Sequence, residues 1–92
     1  MSEIKISNLV LDVLKPREIS IVDLSKAICG LPGVDTVSTN VQEVDVNTET
    51  ISINIQGEGI DFGEVLSTIE HYGCATRSVD SVRVYKTRHE GK

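Results

Sequence analysis

Residues 51–73, with the sequence ISINIQGEGIDFGEVLSTIEHYG, combine a strand pattern and a helix pattern in immediate succession. Every second residue from 51 to 55 is isoleucine and the residues between are polar, which is the period of a strand with one buried face. Asp61 stands where a helix N-cap is expected, Glu64 completes a capping box, and Gly73 follows the last helical turn. The segment therefore predicts one strand and, directly after it, one helix.

A second helix is predicted over residues 20–29. Apolar side chains recur there at helical spacing, and Ser20 and Asp23 have the spacing of a capping box. Gly30 then predicts a left-handed C-cap, and Pro32 predicts that the helix does not continue. Both ends of this helix are thus specified by the local sequence.

Three more stretches have strand character: residues 6–14, residues 37–46 and the stretch from Ala75 onward. In the last of these the apolar positions change parity near Asp80, so we expect a bulge or bend there. The resulting order, βαββαβ, predicts a ferredoxin-like α+β fold with four antiparallel strands and both helices on one face. The first and third strands would lie in the middle, with the acidic second strand and the basic fourth strand at the edges.

The chain has 92 residues, of which 39% are hydrophobic and 25% charged, as expected for one globular domain over residues 1–92. Residues 87–92 have the composition of a frayed tail. The formal charge of -5 is opposite to that of a typical nucleic-acid-binding domain, and no apolar run is long enough to span a membrane. We therefore expect a cytoplasmic protein without nucleic-acid or membrane partners. Because no nucleophile and base can be paired from spacing, we predict no enzyme.

Asp12 interrupts the apolar first strand on the face that the helices would leave open. A buried carboxylate without a partner is costly, so Asp12 needs a cation, either Arg77 or Arg83 of the fourth strand. We favour such a structural ion pair. The alternative is a ligand site on the open face, where Asp12 and Asn54 would bind a polar metabolite and the domain would act as a sensor.

Acidic side chains recur at alternate positions in EVDVNTE, residues 43–49. If a strand runs through them, Glu43, Asp45 and Glu49 point to one side near a turn that offers backbone carbonyls, and such an oxygen-rich arrangement suits calcium or magnesium. The segment lacks the glycine and the bidentate glutamate of an EF-hand loop. The alternative is a solvated turn whose charges guard the edge of the sheet against pairing.

Cys29, His71 and Cys74 are a candidate zinc site if both helices end at the same pole of the fold. The simpler interpretation is that the cysteines are small apolar side chains and that the histidine points to solvent. We favour the simpler interpretation.

Charge is divided along the chain. Residues 27–76 contain no Lys or Arg but eight carboxylates, whereas the last strand and the tail are net basic. One sheet edge would carry Glu43, and the other would carry Arg77, Arg83 and Lys86. Complementary edges favour head-to-tail homo-oligomers, closed into a ring or extended into a filament, while the alternative is a monomer with incidental charge patterning. The first functional hypothesis is self-assembly, in which a divalent cation reduces the repulsion within the acidic cluster. Metabolite sensing is the second.

Five segments carry a family resemblance when they are taken together. They are LVLDVLKP (9–16), LPGV (31–34), EVDVNTETISINIQG (43–57), IDFGEVLSTIEHYGC (60–74) and SVDSV (78–82). In this order and register they resemble the archaeal domain-of-unknown-function 211 family. The resemblance implies a ferredoxin-like fold, ring-shaped homo-oligomers and a cytoplasmic archaeal protein. It implies no activity and transfers no ligand motif, so the cation site on the hairpin rests on its own residues.

Overall fold

The computed structural model describes residues 2–88, which form two helices and one four-stranded sheet. The elements are β1 (Ser2–Pro16), α1 (Ile21–Cys29), β2 (Val34–Val44), β3 (Thr48–Gly57), α2 (Phe62–His71) and β4 (Ala75–Arg88). Their order, βαββαβ, is the predicted one. No helix in this part of the chain has the length and apolarity that crossing a membrane requires.

The strands lie in the order β2, β3, β1, β4, and each neighbouring pair is antiparallel. This arrangement confirms the predicted ferredoxin-like fold, with β1 and β3 in the middle and β2 and β4 at the edges. The helices share one face of the sheet, because Leu24 of α1 and Ile69 of α2 pack into one core with Leu11 and Ile53 of the central strands. The other face is left open.

Local sequence sets the helix ends as predicted, with one exception. The side chains of Ser20 and Asp61 accept hydrogen bonds from backbone N–H groups in the first turns of α1 and α2. Gly73, which follows α2, has a φ of 80°, a left-handed conformation that favours glycine. The predicted left-handed cap at Gly30 was wrong: its φ is -78°, and its N–H bonds back into the last turn of α1.

β4 pairs with β1 along its length but is irregular, as the parity change predicted. The register of the pair shifts at three places, and at one of them Asp80 is the extra residue. A second shift inserts Arg77 between the residues opposite Asp12 and Val13. The predicted bulge near Asp80 is therefore confirmed, within a single continuous strand.

The β1–β4 pair extends beyond the rest of the sheet. Residues 2–6 of β1 pair with residues 84–88 of β4, whereas the pairing of β1 with β3 stops at Asn8. These two segments form a two-stranded arm, and the molecule reaches a length of 58 Å. The strand thus continues two residues into the segment expected to be frayed, and residues 89–92 lie outside the described part of the chain.

Candidate functional site

Asp12 has the partner that the sequence predicted, and that partner is Arg77. The Arg77 Nε donates a hydrogen bond to Asp12 Oδ2 at 3.2 Å, and Nη2 lies 3.2 Å from the same oxygen. Arg77 is an inserted residue of β4 next to Asp12, whereas Arg83 lies opposite Asn8, further along the strand. Because the arginine side chain is half exposed, we expect the pair to contribute less than about 1 kcal/mol to stability. The structural ion pair is therefore present.

The open face of the sheet is polar and has shallow depressions. Asp12 and Arg77 line one of about 510 Å³, while Asn54 lines another of about 420 Å³ together with Asn8 and Arg83. In the second depression, Asn8 Nδ2 donates to Asn54 Oδ1 at 2.7 Å and to a backbone carbonyl of β3 at 3.0 Å. Asp12 and Asn54, the predicted ligand-binding residues, thus share a face but line different depressions.

The hairpin carboxylates do not form the predicted three-ligand cation site. Glu43 borders the open face, whereas Glu49 lies on the helix side, where it binds Lys15. The expectation that Glu43, Asp45 and Glu49 share one side was wrong because β2 has a bulge between Val41 and Glu43, which sets Glu43 opposite Thr50 on the open face. Asp45 Oδ1 instead accepts the N–H of Val46 at 3.0 Å. Residues 2–88 contain no group of three His, Cys, Asp or Glu side chains that could hold a metal ion.

Lys15 is the side chain that sequence reasoning missed. Only 1% of it is exposed, and its Nζ lies 2.9 Å from Glu49 Oε1. Nζ also donates to the backbone carbonyls of Pro16, at 2.9 Å, and of Ile19. Three acceptors match the three N–H donors of an ammonium group, so its charge ties the loop before α1 to the start of β3. The sequence held a signal for this burial, because apolar residues occupy positions 9, 11 and 13 and the same alternation assigns Lys15 to the face that they share.

Comparison with known proteins places the chain in a family. The sequence profile of DUF211, described as uncharacterized ArCR, matches residues 7–88. The chain belongs to the DUF211 family. A protein of Methanocaldococcus jannaschii, described as uncharacterized, is 38% identical over 77 residues, which are 84% of this chain and 79% of that protein. The resemblance read from the five sequence segments is therefore confirmed, and neither description names an activity or a ligand.

The two cysteines of this DUF211 protein are free and lie at opposite ends of the sheet. Cys29 Sγ contacts the carbonyl of Asp35, near the start of β2, at 3.7 Å, whereas Cys74 directly precedes β4. β1 and β3 are antiparallel, so the helices that follow them run in opposite directions and end at opposite poles. The idea that Cys29, His71 and Cys74 share one pole was therefore wrong.

Cys74 should make the stability of this DUF211 protein dependent on alkaline pH. Burial raises the pKa of its thiol above the ordinary value of 9.0, an effect that the charge of Lys15 partly offsets. Because the folded-state pKa is the higher one, the stabilisation is complete below pH 9.0 and is lost as the pH rises toward the folded-state pKa. Urea unfolding followed by circular dichroism should show this alkaline loss in the wild type and in Cys29→Ala, but a smaller one in Cys74→Ala. Identical pH profiles for all three proteins would contradict the expectation.

The edges of the sheet carry the opposite charges that the sequence predicted. Glu43 is exposed on β2, and Arg83 and Lys86 are exposed on β4. Arg77 lies on β4 as well, although its guanidinium is bound to Asp12. The four residues predicted for an interface therefore lie on the two edge strands. Within residues 2–88, the outer N–H and C=O groups of these strands face no further strand.

On the helix side of this DUF211 protein, three rows of side chains cross all four strands. From β2 to β4, the rows are Val37, Ile55, Leu9 and Val82; Thr39, Ile53, Leu11 and Val79; and Val41, Ile51, Val13 and Thr76. The inner members are buried, but Val79 and Val82 on β4 are 45% and 55% exposed, and Val41 on β2 is 42% exposed. The apolar layer of the core thus reaches both edges and ends there uncovered.

Proposed function

We propose that this protein is a non-enzymatic, self-assembling module with a structural or regulatory role, in which β4 of one copy adds to β2 of the next and the copies close into a ring. The observation that carries the proposal is the exposure of Val79 and Val82 at one edge and of Val41 at the other. Burying apolar surface is the main favourable contribution to protein association. A second copy at either edge would continue each row of the core with its own side chains.

Strand direction lets every copy keep the same orientation. β4 is antiparallel to β1, and β2 runs in the same direction as β1 because both are antiparallel to β3. β2 of the next copy, placed beside β4 without turning that copy over, is therefore antiparallel to β4. Its helices lie on the same side of the sheet, and the N–H and C=O groups of the two edges complete a ladder.

Charge supports the same alignment. Arg83 lies in the same cross-strand row as Thr36, so β2 of the next copy, added at the same level, brings Asp35 close to Arg83. Toward the other end of the edge, the same alignment brings Arg77 near Glu43 of the next copy. Opposite charges at both ends favour this register over a shifted one, and they steer the encounter of two copies.

The two-stranded arm also supports assembly. A two-stranded ribbon is at best marginally stable in water without a surface to pack on. The arm nevertheless exposes Ile4 and Val84, and it carries the predicted interface residue Lys86. Copies joined along β4 place the arm next to the start of the neighbour's β2, where it gains such a surface.

The proposed contact joins two unlike surfaces, so each copy in an open chain leaves one β2 edge and one β4 edge free. Free sheet edges invite uncontrolled pairing, and closing the chain of copies into a ring removes all of them. Because a sheet twists, each added copy is rotated relative to the one before, and the ring closes when these rotations sum to a full turn.

Light scattering after size-exclusion chromatography tests the proposal. We expect a discrete mass that is a multiple of 10.0 kDa, and we expect salt to weaken the assembly. Arg83→Glu should weaken assembly about tenfold or more, because it places two carboxylates together at the edge. The double variant Arg83→Glu/Asp35→Arg should recover it, because the exchanged charges again meet between copies. Arg17→Glu makes the same charge change in the loop before α1 and should keep the wild-type mass.

A mass of 10.0 kDa for the wild type at every salt concentration would contradict the proposal. The open face would then become the site to screen, with a panel of polar metabolites in a thermal-shift assay. An unchanged mass for Arg83→Glu in a protein that does assemble would reject the charge alignment and require a different contact between copies.

A further inference from the structure

A groove of about 420 Å³ lies between α2 and the free edge of β4. α2 contributes Phe62, Leu66 and Glu70, which follow one another at four-residue intervals and therefore lie on one side of the helix. β4 contributes Thr76 and Val79. The Thr76 hydroxyl is shielded from solvent, yet it has no hydrogen-bond partner among residues 2–88. The groove is thus lined by both apolar and polar side chains, and it opens along the edge at which we propose assembly.

α1 has a flank that lies over the opposite edge of the sheet. Ser25 Oγ is 2.6 Å from Thr39 Oγ1, and Cys29 Sγ contacts the carbonyl of Asp35, so this side of the helix overhangs β2. Val22 lies about one turn before Ser25 on the same side and is 58% exposed. α1 therefore presents an apolar side chain outward, past the acidic edge.

We infer that the groove between α2 and β4 receives α1 of the next copy, an inference that rests on the edge-to-edge assembly proposed above. α1 packs against β2, and α2 packs against β4. Adding β2 of the next copy beside β4 therefore sets the α1 of that copy beside α2. The two helices run in opposite directions, so the first turn of one lies level with the last turn of the other.

The side chains that meet in this arrangement are complementary. Val22 of the next copy lies at one end of the groove, the end that Leu66 and Glu70 form. Lys26, which is exposed one turn further along the same flank, brings a positive charge toward the carboxylate of Glu70. The contact between helices adds apolar burial to the backbone ladder between strands. Salt screens charges but not apolar burial, so this part of the interface should persist at high salt.

Two measurements test the inference on the full chain. Val22→Asp should raise the protein concentration for half-assembly about tenfold or more, because it places a carboxylate beside Leu66 and the carboxylate of Glu70. Val46→Asp makes the same change at the turn between β2 and β3, at a valine that is 78% exposed, and should leave this concentration unchanged. In a Cys29→Ala/Cys74→Ala background, which removes both native thiols, the pair Val22→Cys and Glu70→Cys should give a ladder of covalent oligomers with a short bis-maleimide. Either cysteine alone should give none.

The outcomes separate the inference from the proposed function. A weaker assembly for Val22→Asp together with the covalent ladder supports both. If the wild type assembles but Val22→Asp assembles equally well, or if the double-cysteine protein gives no ladder, the groove contact is wrong and the edge pairing stands. A wild type that stays at 10.0 kDa overturns both at once.

Discussion

Lys15→Met should lower the free energy of unfolding by about 3 kcal/mol. The substitution leaves the Glu49 carboxylate, which is 17% exposed, without its cation, and it leaves the carbonyls of Pro16 and Ile19 without their donor. Removing one partner of a buried ion pair typically costs about 3–5 kcal/mol, and the lower end applies because Glu49 keeps some contact with water. In a domain of this size the loss corresponds to a fall of roughly 15 °C in melting temperature.

Urea unfolding at one protein concentration measures the effect, and β1 supplies a matched control. Lys5→Met also removes a lysine from β1, but the pair of Lys5 with Glu3 spans 3.6 Å and its side chains are 42% and 59% exposed. We expect that change to cost less than about 0.5 kcal/mol. The double variant Lys15→Met/Glu49→Leu should regain most of the lost stability, because it removes both charges together. Equal unfolding midpoints for Lys15→Met and Lys5→Met would show that the buried pair contributes little.

The fold could be predicted because each element carries its own local signal. The alternating isoleucines of β3 identify its buried face, and the side chains of Ser20 and Asp61 mark where the helices begin. Register between strands then follows, since a slip of one residue would turn the isoleucines of β3 toward solvent. The bulge at Asp80 was predictable for the same reason, because the apolar positions of β4 change parity there.

The site was less predictable because its contacts join residues far apart in the chain. A lone carboxylate in an apolar strand indicates that Asp12 needs a cation, but only the insertion of Arg77 into β4 decides which arginine supplies it. The hairpin carboxylates separate for a similar reason. A bulge in β2 turns Glu43 to the open face, whereas Glu49 keeps the helix side of β3 and pairs with Lys15. Alternation identifies the side chains that face the core, but it does not show which of them, such as Val82, lie at an uncovered edge.

Gly57→Ala should destabilise the protein by about 3 kcal/mol, because a Cβ there has no room among backbone atoms. It would overlap the carbonyl oxygen of Gly33 and lie 3.0 Å from the backbone nitrogen of Asp35. That carbonyl is held in place by a hydrogen bond of 2.8 Å from the N–H of Glu58. The backbone must therefore move, and overpacking typically costs about 1–3 kcal/mol, with the upper end expected when no side chain can yield. The close approach joins two segments of the family resemblance, the LPGV turn and the end of β3.

Gly73→Ala is the control that separates crowding from backbone conformation. Gly73 has a φ of 80°, so alanine is strained there, but apart from its two chain neighbours no residue among 2–88 has an atom within 4 Å of an added Cβ. We expect a cost of about 1 kcal/mol at that position. Thermal unfolding of the two variants at equal concentration compares them, and a Gly57→Ala protein as stable as Gly73→Ala would mean that the loop shifts without cost.

Asp35, which we expect to face Arg83 of the next copy, borders the crowded site. If the Gly57→Ala protein folds, we therefore expect it to assemble less well than the Gly73→Ala protein, because its acidic edge is displaced.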